Sequence, residues 1–383
     1  MKRRTILLTA CGLVLASIVC TGLMPGSGSE VTKDSSAIAP VGPGAAGFGE
    51  FRGMCLQLHN AEKDHPYAKY IDEIAQGGAG VLCLVVPGYQ ENAGSVSIRV
   101  KPGRTVTDEK LVELIRLARS KKLRVMLMPM VLLSNPRNNE WRGKIKPDNW
   151  DEWWSQYTAF IMKYAKLARL GGAEIFSVGS ELVSTETQTG QWKKLISQVR
   201  SVFPGLLTYS ANWDHYHVPK FWAQLDLVGM TSYFTLAKQA NPTPAQLDEA
   251  WREIKQEVLV WQKTVNRPIL FTEVGWPNQQ TAAQFPWNYY AAADKPDPKL
   301  QADCFESFFR AWAGEQAVAG FLVWEWRNHP NQKTSPAEDT SYRPCDKPAM
   351  KVIQRYFLQP DVMSRQKNKK FFTTKERVEK SNQ

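Results

Sequence analysis

The sequence predicts a single (β/α)8 barrel. Three observations carry that expectation. Eight short apolar runs recur along the chain, longer amphipathic segments separate them, and 383 residues at 43% hydrophobic and 11% aromatic content suffice for one large core. The runs lie near 53–58, 80–86, 123–130, 174–179, 206–211, 225–231, 268–273 and 318–325. They are nearly continuous in apolar residues, as strands buried on both faces are. Between them, DEKLVELIRLARSKK and LDEAWREIKQEVLVWQK repeat apolar residues at three and four spacing, the signature of helices with one buried stripe. Strand-then-helix order repeated along a chain implies a parallel sheet covered by helices, and closure into a barrel suits this length. The competing open, doubly wound sheet lacks a Gly-x-Gly-x-x-Gly after the first strand.

The barrel is expected over residues 49–360. Residues 1–23, MKRRTILLTACGLVLASIVCTGL, pair a basic start with an apolar run, which fits either a signal peptide or a retained membrane anchor. Either one implies an exported protein, secreted or held at a membrane. Residues 24–48 are rich in Gly, Pro and Ser and read as a flexible linker. Residues 361–383 read as a basic, poorly ordered tail. The formal charge of +11 does not point to nucleic acid, because three charges sit at Lys2, Arg3 and Arg4 and a net five in Ser364–Gln383, leaving about +3 for the body. Cys55 and Cys83 fall inside apolar runs and read as packed thiols, while a Cys304–Cys345 disulfide is left open. No cysteine spacing matches a zinc site.

Two of the strands end on acids. AEIFSVGSEL closes on Glu181 after strand four and RPILFTEVGW carries Glu273 at the end of strand seven. A lone acid at a strand end is ordinarily a solvated or ion-paired group. In a barrel, however, all strand C-termini meet at one face, so these two should face each other across one mouth. Two carboxyls about 5 Å apart are the equipment of retaining glycoside hydrolysis, one attacking the anomeric carbon and the other protonating the leaving oxygen. Burial and the neighbouring charge are expected to keep the acid of the pair protonated near neutrality. Glu186, five residues beyond Glu181, is the alternative acid.

SVGSELVS, NWDHY, SYF, PILFTEVGW and the late WEWRNHP and TSYRPCDKPA segments together resemble the landmarks of family 113 glycoside hydrolases, with YQEN after strand two and EWRGKI after strand three adding to the match. These are β-mannanases of the large retaining clan. The resemblance implies the acid/base role for Glu181 and the nucleophile role for Glu273, with a carbohydrate substrate and no cofactor. It also suggests that Tyr233 donates its hydroxyl to Glu273, as a tyrosine does in the related clan.

Further substrate-binding candidates follow from chemistry. Trp213, Trp276, Trp324 and Trp326 lie at or after strand ends, where flat rings could stack on pyranose C–H faces or be core. Alternation along strand eight would turn both Trp324 and Trp326 to the mouth and leave Glu325 paired outside. Trp141 and Arg142 follow strand three, and Arg142 could hold a sugar hydroxyl or a carboxylate. Asn212 either binds a hydroxyl or makes a turn. His215 and His217 form a His-x-His that no carboxylate completes, so no metal is expected.

The resemblance has departures. Met128, Met130 and Leu132 stand on strand three where the family carries polar residues, Thr231 stands where an Asp is usual, and Ser180 precedes Glu181 in place of Thr. The reaction type survives these changes, while the glycan stays open between β-1,4-mannan and another β-linked polymer. A non-catalytic, envelope-associated sugar-binding protein on the same scaffold is the different-class alternative, and the presence of both acids argues against it.

Overall fold

Eight apolar runs become strands, and each pairs in parallel with the next: β1 (Phe51–Gln57), β2 (Val81–Gln90), β3 (Arg124–Leu133), β4 (Ile175–Ser180), β5 (Leu206–Ala211), β6 (Val228–Thr231), β7 (Ile269–Val274) and β8 (Val318–Val323). Pairing of β8 with β1, from Phe51↔Gly320 to Met54↔Val323, closes the barrel. The computed structural model describes residues 50–288, 295–326, 335–336 and 338–358. The predicted signal or anchor, linker and basic tail lie outside the described residues.

The helices are α1 (Tyr67–Gln76), α2 (Asp108–Ser120), α3 (Trp150–Gly171), α4 (Thr189–Val202), α5 (Pro244–Val265), α6 (Pro298–Trp312) and α7 (Pro348–Phe357). Their starts follow local chemistry. Thr107 and Asn149 accept from the backbone N–H groups of Lys110 and Glu152, and Thr243 with Gln246 forms a full capping box. Among the described residues one strand–helix unit departs from the expected pattern. Between β5 and β6 stands only a 3-10 turn, Trp222–Gln224.

Strand lengths also differ from expectation. The run 225–231 shortens to β6 because Asp226 takes the Leu207 N–H (2.7 Å) and an Arg200 guanidinium nitrogen (2.7 Å) on its carboxylate, while Arg267 donates to the Leu225 carbonyl. There the N–H groups of Asp226 and Leu227 also converge on the one Leu207 carbonyl, so the regular ladder starts only at Val228. Conversely, β2 and β3 run on in register to Gln90↔Leu133, carrying their ends beyond the other strands towards the mouth.

Two apolar layers hold the barrel. The interior is filled by Cys55, Cys83, Val85, Met126, Met128, Met130, Leu270 and Leu322 with their neighbours. The larger layer lies between strands and helices and includes fully buried Trp153, Trp192, Trp251, Trp276 and Trp312. Burying one such side chain contributes roughly 1.5–3 kcal/mol or more. Cys304 and Cys345 are both buried thiols, so the disulfide left open by the sequence is not formed.

Candidate active site

Glu273 is the penultimate residue of β7, in a strand buried at every position, and is 2% exposed. Its backbone carbonyl accepts from the Ser232 N–H at 2.9 Å, tying β7 to the end of β6. Gly275 follows for a steric reason: a Cβ there would stand 2.4 Å from the Trp324 carbonyl oxygen. Glu181 is the first residue past β4, 6% exposed, and sits in the left-handed region at φ 51°. A non-glycine residue held there costs of order 1–3 kcal/mol and turns the chain abruptly out of the strand. Its N–H is fixed to the Ser210 carbonyl at 2.8 Å.

Two groups act directly on this pair. The Tyr233 hydroxyl donates to Oε2 of Glu273 at 2.9 Å. Arg142, in the 3-10 turn Arg142–Lys144 after β3, donates from Nη2 to Oε2 of Glu181 at 2.5 Å, both side chains being largely shielded from solvent. Burial above all, and then the charge of Glu181, push the Glu273 carboxyl well above the usual carboxylate range, against the opposing pull of Arg142 and the Tyr233 hydrogen bond. Glu273 is the more deeply enclosed of the two acids, and Glu181 has a guanidinium in contact.

Polar atoms of Glu273 and of residues adjoining the strand ends stand unpartnered among the described residues. Oε1 of Glu273 and the hydroxyls of Ser180 and Ser232 are buried without hydrogen-bond partners. Such groups in a native interior call for a ligand, an ion or water.

The predicted substrate residues separate into groups. Tyr233 and Arg142 touch the acids. Trp141 is half-buried at the rim with its ring lying over Gly143. Trp213 is half-buried, stacked on Trp287 at 5.5 Å, and its backbone N–H donates to the Thr231 hydroxyl (3.0 Å) beside the pair. Asn212 spends its amide on Asp214 at 2.7 Å, and Asp214 also holds His215. Trp324 is half-buried and packs against the barrel interior.

Trp276 and Trp326 are corrections. Trp276 is fully enclosed, edge-on to Phe305 at 5.1 Å and Trp251 at 6.3 Å, and is a core residue behind β7. Trp326 points away from the mouth and donates from its indole N–H to Glu73 on α1 at 3.2 Å. Alternation fails here because β8 ends at Val323. Glu325 correspondingly turns inward and hydrogen-bonds Gln57, the last residue of β1, instead of pairing outside. Burial pushes its carboxyl up to about 7, and its charge adds to the upward pressure on Glu273.

Glu186 is fully buried and accepts from the Tyr209 hydroxyl at 2.8 Å, the same hydroxyl that accepts from the Leu182 N–H at 3.0 Å. Its place is behind the loop that carries Glu181. Among the described residues no group of His, Cys, Asp and Glu could hold a metal.

A model of Glycoside Hydrolase Family 113 matches residues 60–347. The chain belongs to glycoside hydrolase family 113. This family 113 member is therefore a glycoside hydrolase. It resembles a family 113 β-1,4-mannanase at 26% identity and a TM-score of 0.72, over 81% of this chain and 99% of that one. The family 113 β-mannanase of Alicyclobacillus acidocaldarius, solved with ManMIm, matches equally, at 26% identity and 0.72 over 82% and 99%. A β-glucuronidase of Faecalibacterium prausnitzii, 13% identical with a TM-score of 0.54 over 81% of this chain and 49% of that one, shares the fold alone. Comparison with curated proteins returns no match.

Proposed function

We propose that this hydrolase cleaves a β-linked polysaccharide, with β-1,4-mannan the first candidate, by double displacement with retention. The observation that carries the reading is the enclosed acid pair itself, in which Tyr233 occupies one oxygen of Glu273 and leaves Oε1 buried and unpartnered. Oε1 attacks the anomeric carbon as the glycosidic bond breaks, and Glu181 gives its proton to the departing oxygen. Water then attacks the same carbon, Glu181 takes up its proton, and Glu273 is released.

In the resting site Arg142 occupies Oε2 of Glu181, so the guanidinium has to move to a sugar hydroxyl as the leaving group arrives. The displacement needs Glu273 ionised and the proton on Glu181, so Glu273 has to shed the proton that burial favours there. No cofactor enters this scheme. Residues 1–23 support action outside the cytoplasm, with or without an anchor.

A second glycan is favoured by the wall that β3 presents. Met128 and Met130 are buried in the barrel interior and Leu132 packs against them, so this side offers no hydrogen bond to a sugar. Selectivity then falls to Gln57, Glu325, Arg142 and Trp324.

The test uses the full chain against mannan, glucan, xylan and chitosan oligosaccharides, with Glu273→Ala and Glu181→Ala beside it. Glu273→Ala should be inert. Glu181→Ala should keep turnover on aryl glycosides whose leaving group needs no proton. Full activity in either variant removes its role, and the panel identifies the glycan.

A further inference from the structure

The geometry points to an outer sugar-binding platform made by Trp287 and Phe285 on the backing of Trp213, which holds a pyranose of the glycan other than the one whose bond is cut. This rests on the glycosidase reading of the acid pair.

Trp287 and Phe285 are 38% and 44% exposed, unusual for rings of this size. They lie edge to face at 6.1 Å. Behind Trp287 the Trp213 indole is stacked at 5.5 Å and 15°, and Trp213 is itself braced edge-on by Phe234 at 5.4 Å. One face of Trp287 is thus supported, which sets the ring as a flat surface.

The backbone under these rings is fixed to the catalytic mouth by two routes. Tyr342, buried, donates its hydroxyl to the Pro286 carbonyl at 2.5 Å and packs its ring 5.7 Å from Tyr233, whose own hydroxyl is on Glu273. Separately, the Trp213 N–H is held by Thr231, the residue in register with Glu273 across β6 and β7. The loop after β7 is also bound to the segment after β6, with Ala283 accepting from Leu236 (2.7 Å) and Gln284 donating from its side chain to the Lys238 carbonyl (3.0 Å). Exposed aromatics on a backbone this constrained are pre-ordered for a ligand, and ordering costs on binding are correspondingly small.

The occupant follows from continuity with the site. A polymer whose one linkage lies between Glu181 and Glu273 must run out of the mouth across its rim. The apolar C–H face of a neutral β-linked pyranose suits an indole better than a charged or peptide ligand does.

The test compares Trp287→Ala and Phe285→Ala with the wild type on β-1,4-manno-oligosaccharides from the disaccharide to the hexasaccharide and on an aryl β-mannoside. The ratio of kcat/KM for the hexasaccharide to that for the aryl mannoside should fall about tenfold in Trp287→Ala, through KM, with Trp287→Phe restoring part of it. An unmoved ratio overturns the platform. Should the wild type hydrolyse none of these, the glycosidase reading fails by itself, and the platform is then judged by quenching of tryptophan fluorescence with mannan. Loss of quenching in Trp287→Ala supports it, and equal quenching in both proteins rejects it. A wild-type dimer that Trp287→Ala converts to monomer in sedimentation would show a second copy as the occupant and would also reject the proposal.

Discussion

The hydroxyl of Tyr233 lies 2.9 Å from Oε2 of Glu273, and the other oxygen of that carboxylate is buried with no partner. One bond therefore both orients the acid and opposes the burial that drives its proton on. For Tyr233→Phe, kcat should fall roughly 10- to 100-fold, the usual weight of a hydrogen bond to a charged group. In the proposed displacement Glu273 attacks in its ionised form, so activity should be lost as pH falls through the Glu273 pKa, and losing the tyrosine should move that acid limb to higher pH. A profile of kcat/KM against pH with an unshifted limb would contradict this.

Arg142 should have the same sign through charge. Its guanidinium lowers the Glu273 pKa and binds Glu181 directly, so Arg142→Met should raise the acid limb and lower kcat/KM by more than about tenfold. Arg142→Lys keeps the charge without the planar fork and should recover the position of the limb better than the rate. The pair of profiles checks it.

Glu325 works in the opposite direction. Its charge raises the Glu273 pKa, so Glu325→Gln should displace the acid limb to lower pH while leaving an amide to meet Gln57. The displacement should be smaller than that produced by Glu181→Gln, since Glu181 is the stronger of the two influences. An upward move in either variant would falsify the electrostatic account.

Glu186 makes a stability prediction. Burial raises its pKa to about 8, so the folded protein binds a proton there that the unfolded chain has released above about 4.5. Wild-type stability should decline as pH rises from about 4.5 to 8 relative to Glu186→Gln, which has no proton to lose. Melting temperatures of the two proteins across that window read the divergence directly, and activity near neutrality should survive the change.

Trp276→Ala should cost about 3–5 kcal/mol of stability, as large-to-small changes of fully enclosed aromatics do. Denaturant unfolding measures the loss. A variant that unfolds like wild type but binds glycan weakly would return Trp276 to the mouth.

Much of this architecture is legible before any coordinates, and the reason is the length of the signals. Eight apolar runs with helices between them leave few closures, and acids at the ends of strands four and seven must then share a face. What resists reading lies at strand ends. Trp326 and Glu325 look like a continued alternation, yet the strand stops at Val323, and nothing local in the sequence marks that stop. Trp276 and Trp324 are alike as letters, and only packing between β7 and α6 tells the enclosed one from the half-buried one. Gln57 and Trp287 carried no motif at all. A stacked neighbour at the rim and a carboxylate arriving from β8 make them noticeable only in three dimensions.

The methionine-filled interior seals the barrel beneath the acids, with Met126, Met128 and Met130 buried beside Cys55 and Cys83. In the proposed double displacement, solvent is kept from reaching the glycosyl ester from below. It has to enter through the same aperture by which the first product departs, so that vacated side is contested between a water molecule and the end of another saccharide. The partition between hydrolysis and chain transfer is thereby written into a greasy floor, and saccharide concentration sets it.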